Sequence, residues 1–513
     1  MHANAPTSLN AEQRARFVHD NIPADGLFAG GTGKVSWRVS PEAFPLSREM
    51  VASFESLGAH LLKFCRAANL LYRQSWQGKA PSFVAEYLDA GKPDALVRAS
   101  RMNRFKQELP RVIRPDILLL DDSVAQASLP VNQRFSITEL DSVPGGMGLT
   151  GSLGEIYAQL GDGIVGGADG MVKSFAAMLR GLSENSQPRA AIVVSEESAS
   201  YRPEMRWLGG RLGAAAKTPH GTLTRSAPKR AGAESVTIPS VSPNGISAVI
   251  VAPEELQISD DGVFHNGERV DIVYRFFELF DLDNVAGATE LIRAASHQRV
   301  VVTPPFKPYL EEKMLFALFQ HPALRDWWRR ELGEETFSVL DGVFPRTWIF
   351  DARPLPPHAV VPDLQMGGRA VTSWQELKTA TQRERELILK ISGFHANAWG
   401  ARGVALGRDM PANEWARAID DALADFPKTP HILQRFAKSR LVETSWFDFE
   451  KSELRPMQGR ARLCPYYFVT RLSSDNDAGD VKMGGVLATI CPPDKKLLHG
   501  MSDAVMCACR LGE

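Results

Sequence analysis

The sequence has little cysteine, no long apolar run and no excess of charge of either sign. Its 513 residues include only five cysteines, and such a small, odd number argues against a disulfide framework and favours a reducing compartment. Cys507 and Cys509 are separated by one residue, without the spacing of a CxxC motif and without a matching pair elsewhere. A structural zinc site is therefore not expected.

Charge and hydropathy narrow the class of protein further. Lys plus Arg number 59 and Asp plus Glu number 60, a balance that argues against bulk binding to nucleic acid or to an anionic membrane. No segment reaches the ~20 apolar residues that would span a bilayer, and the first residues lack the apolar core of a signal peptide. We therefore expect a cytoplasmic protein with small-molecule partners, and the sequence leaves its oligomeric state open.

The length predicts several packed units, because a chain of 513 residues is too long for one ordinary core. Alternating strand and helix patterns predict an α/β fold class with α+β subdomains. A long amphipathic helix is predicted from about 48 to 76, a glycine-rich region without a predicted helix at 151–170, and a mobile surface insertion at 213–245. The predicted divisions are an N-terminal arm and helical region at 1–110, charged strands at 111–165, a central α/β unit at 166–303 and a last part at 304–513.

Two predicted strands carry ionisable residues that strand alternation places on one face. Arg114 and Asp116 are two residues apart, and Glu139 and Asp141 repeat that spacing just before a Pro-Gly-Gly turn. Carboxylates a few ångströms apart repel one another, and they lose hydration when they are buried. A divalent cation that carries anionic phosphates would remove this cost. The alternative interpretation is a sheet edge whose charged residues face solvent.

A second group of residues, later in the sequence, has the chemistry to hold phosphates. Lys390 lies on a predicted strand at 386–391. The turn after it contains the glycines Gly393, Gly400 and Gly403. A lysine supplies a point charge, and glycines allow backbone N–H groups to approach phosphate oxygens closely. Lys313 is a second candidate lysine, and Gln434 lies on a predicted strand where an adenine-contacting segment would fit.

The order of these segments resembles the circularly permuted ATP-grasp family, whose relatives include glutathionylspermidine synthetase-like amide ligases. The resemblance extends from about Arg111 to the C-terminus. It implies a circularly permuted ATP-grasp architecture with metal-binding strands at 111–165, a substrate subdomain at 166–303 and nucleotide-binding subdomains at 304–513. The site residues that it implies are Arg114 as the catalytic residue, Asp116, Glu139 and Asp141 as metal ligands, and Lys313, Lys390, Gly393, Gly400, Gly403 and Gln434 as ATP-binding residues.

The activity that the resemblance implies is an ATP- and Mg²⁺-dependent carboxylate–amine ligase acting through an acyl phosphate on a small acid and an amine. Arg275, Arg460 and Arg462 are candidates for holding the acid, with structural ion pairs as the alternative for each. The chain departs from the family at Asp141, where asparagine is usual. The alternative functions are an ATP-dependent phosphotransferase with the same fold and a binding protein that keeps the fold without the chemistry.

Overall fold

The structure is a computed structural model, and it describes residues 9–23, 36–120, 134–213, 245–356, 358–398, 402–472, 479–500 and 503–512. The insertion predicted at 213–245 lies almost entirely outside the described residues. The described part of the chain combines α-helices with several β-sheets, so the predicted α/β class is confirmed. Within that part, no helix has both the length and the apolarity needed to cross a membrane.

The helices of the described residues include the long one predicted near the N-terminus. In chain order they are α1 (Ala11–Asn21), α2 (Arg48–Trp76), α3 (Phe83–Asp89), α4 (Asp94–Ser100), α5 (Met147–Gln159), α6 (Gly170–Arg180), α7 (Arg202–Gly213), α8 (Ala288–Ser296), α9 (Met314–Gln320), α10 (Arg325–Leu332), α11 (Glu334–Val343) and α12 (Ala412–Asp425). The predicted helix is confirmed as α2. It begins after Ser47, whose hydroxyl accepts a hydrogen bond from the Met50 N–H at 3.2 Å.

The strands form three larger sheets and two small ones within the described residues. In chain order they are β1 (Phe44–Leu46), β2 (Val112–Leu119), β3 (Phe135–Asp141), β4 (Arg189–Val194), β5 (Ser247–Val251), β6 (Gln257–Ser259), β7 (Gly262–His265), β8 (Glu268–Val270), β9 (Ile272–Phe276), β10 (Val301–Thr303), β11 (Thr347–Phe350), β12 (Gln365–Met366), β13 (Arg369–Ala370), β14 (Leu387–Ile391), β15 (Val404–Leu406), β16 (His431–Arg435), β17 (Leu441–Asp448), β18 (Glu453–Arg471), β19 (Asp480–Cys491) and β20 (Val505–Leu511).

The largest sheet joins the charged strands to the C-terminal part of the chain. Its order is β1-β20-β19-β18-β2-β3, and β17 also pairs with β18. All of its pairs are antiparallel except β1 with β20. Because β18 lies beside β2, side chains that are more than 300 residues apart in the sequence meet on one face of this sheet.

The second sheet is parallel throughout, with the order β10-β9-β4-β5. Apart from Arg189 and Arg275, the residues of its central strands are buried and apolar or aromatic, as expected for a parallel sheet covered on both faces. The chain passes from β4 to β5 on one side, and β9 then pairs with the other side of β4. The strand order therefore reverses between β4 and β9, and the crevice at the carboxyl ends of such strands is where α/β sheets bind ligands.

The third sheet is antiparallel and carries the phosphate-binding candidates. Its order is β11-β16-β14-β15. The strand predicted at 386–391 is confirmed as β14, and Lys390 pairs in register with Val404 of β15 on one side and Ile432 of β16 on the other. Lys390 thus lies on a central strand with neighbours on both sides.

Candidate functional site

Two neighbouring strands of the largest sheet place four ionisable side chains together. Arg114 on β2 lies opposite Asp141 on β3, and Asp116 lies opposite Glu139. Residues directly opposite in an antiparallel pair leave the same face of the sheet. The shared face predicted from the spacing is therefore confirmed. β3 is the last strand of the sheet, but Asp116 on β2 is only 8% exposed, so this face does not simply point into solvent.

Arginines already neutralise part of this carboxylate cluster. Arg114 donates through Nη2 to a carboxylate oxygen of Asp141, and the same nitrogen lies 3.1 Å from Asp116 Oδ1. Arg462 reaches over from β18 and donates to Asp116 Oδ2 at 3.0 Å. Two guanidinium groups therefore hold Asp116 between them.

Lys313 lies directly before α9 and joins the same cluster. Its Nζ is 2.7 Å from Glu139 Oε1 and donates to the carbonyl oxygen of Ala398 at 2.8 Å. The neighbouring residue Glu312 forms a buried ion pair with Lys92, with 2.6 Å between Oε1 and Nζ. This ion pair anchors the backbone beside Lys313. The lysine thus bridges β3 and the segment that follows β14.

Lys390 extends from β14 toward β3. Its Nζ donates to Gln434 Oε1 at 3.0 Å and to the carbonyl oxygen of Thr138 at 3.2 Å. Gln434 donates in turn to Thr347 Oγ1 at 3.1 Å. The side chain of Gln434 therefore orients Lys390.

A cavity of about 470 Å³ opens between the three sheets and collects most of the predicted site residues. Those that line it are Arg114, Asp116, Glu139, Asp141, Lys313, Lys390, Gly393, Gly403, Gln434 and Arg462. Gly400, predicted to bind ATP, lies outside the described residues. The metal-ligand candidates and the phosphate-binding candidates therefore face one common space.

The cavity also borders the point where the strand order of the parallel sheet reverses. Glu197 and Tyr201 follow β4, Glu278 follows β9, and all three line the cavity. Burial, together with the nearby carboxylate of Glu311, raises the pKa of Glu278 to about 8. Sequence spacing alone does not identify these residues. Their position after adjacent parallel strands is the signal that would have found them.

A buried carboxylate holds the turn between β3 and α5. Glu204 accepts hydrogen bonds from the N–H groups of Gly146 at 2.8 Å, Gly148 at 3.2 Å and Leu149 at 3.3 Å. Gly146 has a φ of +86°, and a Cβ there would lie 2.5 Å from Tyr466 Oη, so this position requires glycine. Burial raises the pKa of Glu204 to about 7 although the three N–H donors oppose the shift.

Arg275, predicted to hold a substrate carboxylate, lies outside the described lining of the cavity. It is fully buried, and each of its three side-chain nitrogens donates to a protein oxygen. The acceptors are the carbonyl oxygens of Pro304 and Phe277 and the carboxylate of Glu311. These bonds fix Glu311 at the cavity wall, so the contacts of Arg275 are those of a structural residue, and direct substrate binding stays a prediction.

Arg460 is also absent from the described lining of the cavity, whereas Arg462 is part of it. The Arg460 guanidinium donates to the carbonyl oxygens of Ser439 and Pro493, the latter at 3.1 Å. Arg460 and Arg462 are two residues apart on β18. Of the three arginines predicted to bind substrate, the structure places only Arg462 against the cavity.

The carboxylates of the cluster differ in their electrostatic environments. Burial would raise the pKa of Asp116, but Arg462 and Arg114 outweigh it and hold this pKa below its ordinary value. Burial raises the pKa of Asp141 to about 6. The carboxylates of Glu139 and Asp116 raise it too, and Arg114 only partly offsets these effects. The neighbouring cations therefore balance the charge of Asp141 less well than that of Asp116.

The pKa values of the two lysines are also shifted in opposite directions. Burial would lower the pKa of Lys313, but Glu139 and Asp141 raise it above its ordinary value. Burial, together with the positive charge of Lys313, lowers the pKa of Lys390 to about 8 although the carboxylate of Glu139 acts in the opposite direction. Lys313 is thus firmly cationic, whereas an anion beside Lys390 would stabilise its charged form.

The carboxylates have the donor chemistry that Mg²⁺ prefers, because this cation takes oxygen ligands. Across the described ranges, no group of three or more His, Cys, Asp or Glu side chains is arranged to hold a metal ion. Arg114, Arg462 and Lys313 instead pair with the carboxylates of the cluster. The donor set fits Mg²⁺ by type, and the cation would have to displace some of these pairs.

No family model and no curated protein sequence matches this chain. Among solved structures, the chain is similar to a glutathione synthetase like-effector from Globodera pallida in its apo form, with a TM-score of 0.55 and 12% sequence identity. The similarity covers 98% of this chain and 97% of that one. At this identity the comparison shows the fold alone: the chain has a mixed α/β fold similar to that of a glutathione synthetase-like protein.

Proposed function

We propose that the chain is an ATP- and Mg²⁺-dependent carboxylate–amine ligase with a circularly permuted ATP-grasp architecture. The observation that carries the proposal is the cavity of about 470 Å³, in which an arginine and three carboxylates from one sheet face two lysines. The similarity in fold to a glutathione synthetase like-effector over nearly the whole chain supports an ATP-grasp-like ligase fold.

The permuted architecture is supported by the order of the segments along the chain. The strands with the proposed metal ligands, β2 and β3, precede both proposed phosphate-binding lysines, Lys313 and Lys390. The C-terminal strands β17–β20 complete the sheet that contains β2 and β3. This is the order that the family resemblance implies, with the metal strands before the nucleotide-binding half.

We assign phosphate binding to Lys313 and Lys390, with the backbone at Gly393 and Gly403 close by. The acceptors that Lys390 contacts through Nζ are the neutral oxygens of Gln434 and Thr138. Hydrogen bonds between two charged groups are roughly twice as strong as neutral ones. A phosphate would therefore give Lys390 an anionic partner that stabilises its charged form.

The carboxylates of Asp116, Glu139 and Asp141 would hold Mg²⁺, which when bound neutralises phosphate charge. Arg114 would stabilise the negative charge that develops on the transferred phosphoryl group and on the acyl intermediate. Its planar guanidinium matches paired oxygens, and its carboxylate neighbours raise its already high pKa despite burial, so it stays charged. Arg114 is thus the proposed catalytic residue.

The proposed reaction has two steps, phosphorylation of the acid by ATP and attack of the amine on the resulting acyl phosphate. A carboxylate oxygen of the acid bonds to the terminal phosphorus of ATP, and the bond from that phosphorus to the bridging oxygen breaks, which releases ADP. The amine nitrogen then bonds to the acyl carbon, the carbon–oxygen bond to phosphate breaks, and the nitrogen loses a proton. Glu278 lines the cavity and in its ionised form is the candidate acceptor of that proton, because a carboxyl with a pKa of about 8 exchanges its proton near neutral pH.

One observation favours a second candidate, a binding protein without chemistry. The carboxylates of Asp116, Glu139 and Asp141 all pair with protein cations, and the similar structure is described as an effector. An enzyme would need to break some of these ion pairs in each catalytic cycle to bind Mg²⁺. A binding protein without chemistry would keep them intact.

A hydroxylamine trapping assay separates these functions. The full chain is incubated with ATP, Mg²⁺, a pool of carboxylic acids and hydroxylamine, with Lys378→Met as a matched control. Lys378 pairs with Asp420 and is absent from the described lining of the cavity. Formation of hydroxamate and ADP by the wild type and the control supports the ligase. A stable phosphorylated acid indicates a phosphotransferase, and bound ATP without product indicates a binding protein; either result overturns the proposal.

A further inference from the structure

We propose a second binding site, for a small multiply charged anion of the phosphate type, in a separate cavity between the N-terminal helices and the parallel sheet. This cavity has a volume of about 410 Å³ and shares none of its described lining residues with the larger cavity. Its walls come chiefly from α2, from the segment 104–111 and from β10. Its volume is within the usual range of about 300–1,000 Å³ for small-molecule sites.

The lining of this cavity carries an excess of positive charge. Arg66, Arg104 and Arg111 contribute to it, and Glu108 is the acidic residue among its described lining residues. Glu108 pairs with Arg104, at 2.7 Å between Oε1 and Nη1. Arg104 and Glu108 therefore compensate each other, and Arg111 adds positive charge to the lining.

Further positive charge is buried directly behind this wall. Lys307 is 1% exposed, and its Nζ donates to Asn69 Oδ1 at 2.8 Å and to the carbonyl oxygen of Glu108 at 2.6 Å. Arg73 is 5% exposed and donates to Asn103 Oδ1 at 3.3 Å. All of these acceptors are neutral. Buried charge is costly without a charge of opposite sign nearby, and an anion in the cavity would provide one.

The acid–base properties of two cations agree with this excess. Burial lowers the pKa of Lys307 to about 7, although the carboxylate of Glu108 acts in the opposite direction. Burial likewise lowers the pKa of Arg111 to about 10, again against the effect of Glu108. Glu108 alone therefore does not offset the cost of burying Lys307 and Arg111.

Hydrogen-bond donors at this cavity also lack partners. The hydroxyl group of Thr303, a lining residue that is 2% exposed, has no hydrogen-bond partner among the described residues. Arg111 Nη1 is buried and likewise has no partner within the described part of the chain. Phosphate oxygens accept several hydrogen bonds at once and carry the required charge. A neutral or cationic ligand would leave the positive excess uncompensated.

The test is calorimetric titration of the full chain with inorganic phosphate as the probe. The variants are Arg111→Gln, Thr303→Val, Lys390→Met in the larger cavity, and Arg16→Gln as an exposed arginine control. Loss of a charge-assisted hydrogen bond weakens binding by about tenfold or more. We expect that loss in Arg111→Gln, a smaller one in Thr303→Val, and a retained phosphate-binding event in Lys390→Met and Arg16→Gln. With Lys390→Met as the background, phosphate should raise the melting temperature, and adding Arg111→Gln should remove this increase.

Equal phosphate affinity in the wild type, Arg111→Gln and Thr303→Val would overturn the proposal. So would loss of phosphate binding in Lys390→Met alone, since that result places the anion in the larger cavity. Thr303→Val keeps the shape of the side chain, so it provides the same test if Arg111→Gln does not fold. Because the probe is phosphate and the readout is binding, the outcome is independent of ligase activity.

Discussion

Lys390→Met is the most informative single substitution, because the structure predicts a strong effect on nucleotide binding and a small effect on folding. The pKa of Lys390 falls from an ordinary value of 10.5 to about 8, which disfavours its charged form in the folded protein by about 3 kcal/mol. Methionine removes this cost but leaves Gln434 and the Thr138 carbonyl oxygen without their donor, at about 1–3 kcal/mol for each unpaired group. These terms largely offset one another, so we expect the free energy of unfolding to change by less than about 3 kcal/mol.

Nucleotide binding should respond much more strongly than folding. A hydrogen bond between a lysine and a phosphate contributes about 1.5–3 kcal/mol, so Lys390→Met should raise the Kd for ATP by about 10- to 150-fold. The wild type should also lose affinity by up to about tenfold per pH unit as the pH rises above 8, because the free lysine then loses the proton that phosphate binding requires. The variant should lose the part of this pH dependence that Lys390 contributes and keep the part that comes from Glu278 in the same cavity.

Calorimetric titration with ATP between pH 7.5 and 9.5 measures both effects. Phosphate groups have a second pKa of about 6, so ATP itself stays fully ionised over this range. Lys378→Met, which removes a lysine paired with Asp420 on another part of the surface, is the matched control and should bind ATP like the wild type. If Lys390→Met keeps both the affinity and the pH dependence of the wild type, the assignment of this lysine to phosphate is wrong.

Three further substitutions test other parts of the site. Glu139→Gln should reduce Mg²⁺-dependent ATP turnover at least ~100-fold, since it removes a proposed metal ligand. Its melting temperature should stay near that of the wild type, because the amide oxygen still accepts a hydrogen bond from Lys313. Unchanged turnover would show that Glu139 is not a ligand. The folded pKa of Asp141 is about 6 against an ordinary 3.8, so stability falls by up to about 3 kcal/mol as the pH rises through this window. Asp141→Asn should remove this fall in melts between pH 4 and 8. Glu204→Ala should lower the urea-unfolding free energy by about 2–4 kcal/mol, because three N–H groups lose their acceptor; Glu204→Gln should cost less.

Helix α5 marks a limit of reading secondary structure from composition. Glycines weaken a helix, so the glycine-rich sequence did not predict the helix that forms over Met147–Gln159. Tertiary packing overrides this weakness. Helix α7 approaches α5 so closely that a Cβ at Gly148 would lie only 2.3 Å from the Glu204 carbonyl oxygen, so this contact requires glycine. Glu204 itself had a detectable signal, since it lies four residues before Leu208 on the buried face of α7.

Sequence spacing by itself determined the half of the site that lies on two adjacent strands. Arg114, Asp116, Glu139 and Asp141 share a face because side chains alternate with a period of two along every strand, whatever the surroundings. The same kind of local rule, helical periodicity, defined α2 correctly. Such patterns depend only on backbone geometry, so they can be recognised in a single sequence.

Only the tertiary structure decided which charges meet. Arg462 reaches Asp116 across 346 positions of sequence because β18 pairs with β2, and Arg275 turns toward Glu311 instead of the cavity because of how β9 packs. The same packing leaves Arg111 and its neighbours around a second cavity. Residue type and spacing do not encode these distances, which depend on how three separately formed sheets pack against one another.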